Sequence, residues 1–97
     1  MSVAKTSVTV RIAGEEHTIR ASAEPEYTRK CAQMVDDRIH EIRMAAGLIE
    51  GHKAAILAAL SIADECLQAR EELERARIDL AAKVDRLASQ LEGSIPV

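Results

Sequence analysis

Apolar and polar residues alternate strictly along Val8-Thr9-Val10-Arg11-Ile12, and again along His17-Thr18-Ile19-Arg20-Ala21. A period of two carried by β-branched residues predicts a pair of half-buried strands. The intervening Ala13-Gly14-Glu15-Glu16 supplies a glycine able to take a positive φ, so the two runs read as one β-hairpin. Its apolar face carries Val8, Val10, Ile12 and Ile19, with His17 as a further candidate. An isolated hairpin is marginal in water, so that face needs a helix or a partner to rest on.

After Ser22-Ala23-Glu24-Pro25 the period changes. Ser22 or Glu24 suits a helix cap and Pro25 its first turn. Tyr27, Cys31, Met34, Val35, Ile39, Ile42 and Ala46 then recur at helical spacing as a single stripe. Between them Arg29, Lys30, Asp36, Asp37, Arg38 and Glu41 read as a solvated face, Gly47 as the C-cap, and Leu48 to Gly51 as the turn. From His52 to about Glu92 neither Pro nor Gly occurs; those 41 residues would form a helix of roughly 60 Å, longer than a small domain can cover.

One heptad frame fits that segment, with Ile56, Ala59, Ala63, Cys66, Arg70, Leu73, Arg77, Leu80, Val84, Leu87 and Leu91 alternating as a and d. Leu60, Ile62 and Leu67 widen the stripe near its start, as for a helix with more than one neighbour. Beyond Leu73 it narrows to Leu73, Leu80, Val84, Leu87 and Leu91, a seam that another helix must bury. Arg70 and Arg77 stand at successive a positions and would face their own copies in a parallel, in-register pair. They either snorkel towards Glu71, Glu74 or Asp79, or select another register or oligomer. Gly93 to Val97 reads as a frayed end. The expected fold class is α+β: a hairpin-plus-helix head over residues 1–47, for dimerisation and partner binding, followed over 48–97 by one long coiled-coil helix for oligomerisation.

Composition sharpens this picture. The 97 residues are 47% apolar, yet Tyr27 is the one aromatic residue. Aliphatic side chains suit close helix packing better than a ligand pocket, and a chain this short gains from a partner subunit. The net charge is −3; the first 50 residues hold 7 basic and 8 acidic side chains, the remainder 6 and 8. Neither part has the basic footprint of a nucleic-acid binder. Lys5, Thr6 and Ser7 interrupt any signal-peptide core, and no run approaches membrane-spanning length, so the expected compartment is the cytoplasm, without membrane insertion.

Catalytic and metal-binding patterns are not found. His17, His40 and His52 have no Cys or Asp partner at triad or zinc spacing. Asp36-Asp37 and Asp64-Glu65 diverge by about 100° per residue on helices and cannot converge on one substrate atom. Cys31 and Cys66 match no redox or metal spacing and sit on apolar stripes, as small core residues do. No glycine-rich phosphate loop exists. The expectation is a non-enzyme with no cofactor and no metal.

The order of elements, VTVRIAGEEHTIRA (Val8 to Ala21), EYTRKCAQMVDDRIHEI (Glu26 to Ile42) and AAILAALSIADE (Ala54 to Glu65), resembles the ZapA family of bacterial division proteins from about Val8 to Leu91. The Ala-Ala-Leu-x-Ile run at Ala58 to Ile62 is its most specific piece, supported by the hairpin glycine and by Ala-x-x-Val-Asp at Ala32 to Asp36. Two positions depart from the family pattern: Ser61, where Asn is common, and His17, where an aromatic or apolar residue is. The resemblance implies a head-to-head homodimer, here expected through Ile56, Leu57, Leu60, Ile62 and Ala63. It implies a coiled coil that joins two dimers into a homotetramer, for which the seam from Leu73 to Leu91 is the candidate. It implies binding to polymers of FtsZ, the tubulin-like GTPase of the division ring, which the protein would bundle during septation at mid-cell. Arg43 matches a basic position that the resemblance implicates in filament binding; Arg20 and Arg11 are further candidates as nearby exposed cations. A coiled-coil adaptor for another cytoplasmic partner is the alternative reading.

Overall fold

The computed structural model describes residues 4–47 and 49–94. Leu48 and residues 95–97, part of the expected turn and of the expected frayed end, lie outside the described residues. The element order is β1 (Thr6–Ile12), β2 (Glu15–Ala21), α1 (Pro25–Ala46) and α2 (Gly51–Ser94). This is the expected hairpin, helix and long helix.

The strands pair antiparallel, with Val8 opposite Ile19 and Val10 opposite His17. Only two residues join them. Ala13 (φ 54°) and Gly14 (φ 79°) are both left-handed, the turn whose twist matches that of flanking strands. Alanine pays for that conformation with its β-carbon, about 1–2 kcal/mol for an ordinary L-residue. The Ala13 amide donates to Asp36 Oδ1 of α1 at 2.8 Å, which ties the strained turn to the helix. Asp36 is therefore half-buried and structurally engaged, where the sequence suggested a solvated face.

Two small cores organise the first compact unit, Met1–Ile62. In one, Val8 and Val10 pack with Ala32 of α1, flanked by Ile12 and Ile19. In the other, Ile39 packs with Ala54 and Ala58 of α2, flanked by Ile12, Val35, Ile42 and Ile49. Ile12 touches both and links hairpin to helices. Ala54 and Ala58 are wholly buried, and their small side chains let the α2 backbone approach α1 closely. His17 shares the face of Val10 but remains exposed, within 3.8 Å of Glu15. Pro25 opens α1 without a side-chain cap, the Thr28 amide bonds the Glu24 carbonyl, and Gly47 ends the helix at φ 77°. No large apolar side chain among the described residues falls below 2% exposure, so this core is thin. The second unit, Ala63–Val97, contains the remainder of α2 to Ser94, and its residues from Ala63 to Gly93 are all exposed.

Candidate functional site

The buried face of α1 is narrower than its apolar stripe. Thr28, Ala32 and Ile39 are buried and Val35 and Ile42 half-buried, but Tyr27, Cys31 and Met34 are exposed. With Lys30, Gln33, Asp37, Arg38 and Glu41 they line an open groove of about 620 Å³. Cys31 is thus not a core residue, and neither is Cys66; both are exposed free thiols. The physical reason is angular. Residues 27, 31 and 34 lie to one side of the line through 28, 32 and 39, and the hairpin and α2 cover only that line.

The same flank leads to α2. Arg38, with its side chain only 18% exposed, donates from Nη1 to Ser61 Oγ at 2.7 Å and lies 3.5 Å from Glu41. This arginine joins the two helices, where the sequence suggests solvated charge, and Ser61 accepts its hydrogen bond. Leu57 and Leu60 stand one turn and one residue before Ser61 and are 38% and 62% exposed. Of the other expected dimer residues, Ile56 and Ala63 are exposed and Ile62 half-buried. A border of uncovered apolar side chains therefore runs along α1 and the start of α2, with the Arg38–Ser61 bond between the two helices.

In the second unit, Leu73, Leu80, Val84, Leu87 and Leu91 are each 53–63% exposed and share one helix face. Ile78 is as exposed but points away from that seam, and the heptad frame did not include it. Arg75 pairs with Glu71 at 3.9 Å, one turn back. Arg70 and Arg77 join no ion pair among the described residues, which leaves two cations on the seam's a line.

The cationic candidates are distributed over two places. Arg11 and Arg20 lie on the outer, wholly exposed hairpin face, with Thr9 and Thr18 hydroxyls 3.3 Å apart between them. Arg43 stands in the last turn of α1, where a cation complements the helix dipole. It borders a cleft of about 370 Å³ that the hairpin turn makes with Asp36, Asp37, Ile39 and His40. The structure thus sets Arg43 beside the Ala13–Gly14 turn. Among the described residues, no group of three or more His, Cys, Asp or Glu side chains could hold a metal ion, and no single helix is long and apolar enough to cross a membrane.

The family model for the Cell division protein ZapA matches residues 8–91. The chain is 40% identical over 82 residues to the ZapA of Geobacillus thermodenitrificans, spanning 84% of this chain and 86% of that protein. Among solved structures, a ZapA mutant dimer from Geobacillus stearothermophilus aligns with a TM-score of 0.65 at 39% identity, over 79% of this chain and 90% of that one. A conserved bacterial protein of unknown role from Pseudomonas aeruginosa aligns with a TM-score of 0.72 at 25% identity, over 91% and 98%.

Proposed function

Because this chain belongs to the ZapA family of cell division proteins, we propose that it is a non-enzymatic crosslinker that binds FtsZ filaments at the division ring and bundles them. The observation that carries the reading is that each unit bears uncovered apolar surface. One set, Tyr27 and Met34 with Leu57 and Leu60, belongs to the hairpin-bearing unit; the other, Leu73 to Leu91, belongs to the distal helix.

Each set calls for burial, since uncovering a Leu or Val side chain forgoes roughly 1.5–3 kcal/mol. In this reading the first set pairs two heads into a homodimer, in keeping with the dimer formed by the Geobacillus stearothermophilus relative. The second joins dimers into a tetramer through a coiled coil. A particle with several heads then grips more than one filament, and avidity exceeds the affinity of one head.

The head's apolar residues are committed to folding and pairing, so filament contact falls to its charged rim, with Arg43 foremost and Arg20 and Arg11 beside it. Charge–charge contact of this kind steers association and weakens with salt. The test is co-sedimentation with FtsZ polymer across a salt series. Wild type should pellet with polymer and Arg43→Glu should pellet less, with a shallower salt dependence. A wild-type protein that stays in the supernatant at every polymer concentration would leave the adaptor reading in place instead.

A further inference from the structure

We propose that Gly51 is a positioning residue for Arg43: the missing side chain at the start of α2 sets where the Arg43 guanidinium rests. The proposal builds on the role given to Arg43 above.

Gly51 opens α2, and its φ is not in the left-handed region, so the backbone does not require glycine there. Helix propensity argues against it as well, because glycine is the poorest helix residue after proline. Sterics supply the reason. A β-carbon at position 51 would lie 2.8 Å from Arg43 Nη2 and 3.9 Å from its Cζ, and among the described residues beyond its chain neighbours and the local helix nothing else comes within 4 Å. At Gly14, Gly47 and Gly93 the same construction meets nothing within 4 Å among the described residues. The guanidinium of the last α1 turn therefore occupies the room that a side chain on the first α2 residue would take. Arg43 thus lies against the first residue of α2 and lines the cleft at the hairpin turn.

Gly51→Ala must displace that guanidinium. The displaced atom ends a flexible side chain, so the arginine rotates and the backbone stays in place. The variant should fold as well as wild type and differ in where it presents one charge.

The experiment is a double-mutant cycle read by FtsZ co-sedimentation, with Gly51→Ala in wild-type, Arg43→Ala and Arg43→Lys backgrounds. Gly51→Ala alone should weaken binding about threefold, a modest change of the size rim charges produce, at an unchanged or higher melting temperature. In both Arg43 backgrounds it should have no further effect, since neither carries a guanidinium to displace. The Arg43 Nε–Hε resonance should also shift in Gly51→Ala without any partner present.

Three results overturn the proposal, and they are distinguishable. An unmoved Arg43 resonance refutes the positioning directly. Arg43→Ala that weakens binding, with a Gly51→Ala loss that persists undiminished on top of it, refutes the route through Arg43. Arg43→Ala that binds as wild type removes the role of Arg43 itself, and the positioning of a filament contact with it.

Discussion

Replacing Val84 by glutamate puts a carboxylate in the middle of the distal seam. Each of Leu73, Leu80, Val84, Leu87 and Leu91 leaves 53–63% of its surface open. Full burial of such a side chain is worth roughly 1.5–3 kcal/mol, so covering the open half yields about 1 kcal/mol apiece and about 5 kcal/mol per helix. The four helices of two joined dimers together then gain about 20 kcal/mol, against an association cost of about 4–15 kcal/mol for lost freedom. The surplus is about 5–16 kcal/mol, which four such substitutions together must exceed. Glutamate removes the valine contribution on every helix and adds the desolvation of an unpaired charge, several kcal/mol each time. The seam cannot absorb that loss.

Multi-angle light scattering at micromolar concentration should report a tetramer for wild type and a dimer for Val84→Glu. The head retains its own interface, so the dimer should survive and still pellet with FtsZ polymer. Bundling, seen by electron microscopy, should fall sharply because fewer heads share one particle. Ala82→Glu adds the same charge on the opposite side of the helix and should leave the tetramer intact. A tetrameric Val84→Glu protein, or a dimer that bundles as well as wild type, would refute the assignment of crosslinking to this segment.

Other substitutions probe the head. Leu60→Glu should dissociate or unfold the dimer through a buried unpaired charge, costing several kcal/mol; sedimentation showing a folded dimer at micromolar concentration would contradict it. Ala13→Asn should raise stability by about 1 kcal/mol, since asparagine tolerates a left-handed φ and Asn-Gly favours this turn; a lower denaturation midpoint at equal protein concentration would disprove the strain. Asp36→Ala should lose about 1 kcal/mol and speed hydrogen exchange of the Ala13 amide, which then has no carboxylate acceptor.

The hairpin was readable because its signals are local: a two-residue period on each side of a glycine, with Val8, Val10 and Ile19 falling on the inner face. The long helix was readable from helix formers without a break. The inner face of α1 was not. Its apolar stripe from Tyr27 to Ala46 serves two neighbours, the hairpin and α2, and one flank left open, and hydrophobicity alone does not say which residue meets which. The engagement of Arg38 and Asp36 is hidden in the sequence for a related reason. A charged residue on a helix looks solvated until the distant atom it bonds, Ser61 Oγ or the Ala13 amide, is known. Gly51 gave no signal as more than a turn residue, because the group filling its missing side-chain space comes from another helix.

Tyr27 has an optical consequence. It is the lone phenol in a chain without tryptophan or phenylalanine, and it is 62% exposed on the α1 flank beside Met34. All near-ultraviolet absorbance and intrinsic emission from the aromatic side chains therefore comes from one address. Covering that flank changes the polarity and quenching around a single fluorophore, and the distal unit carries no aromatic residue of its own. Titrating the protein while watching that emission separates head pairing from helix pairing without a label, in the same cuvette where scattering reports total mass.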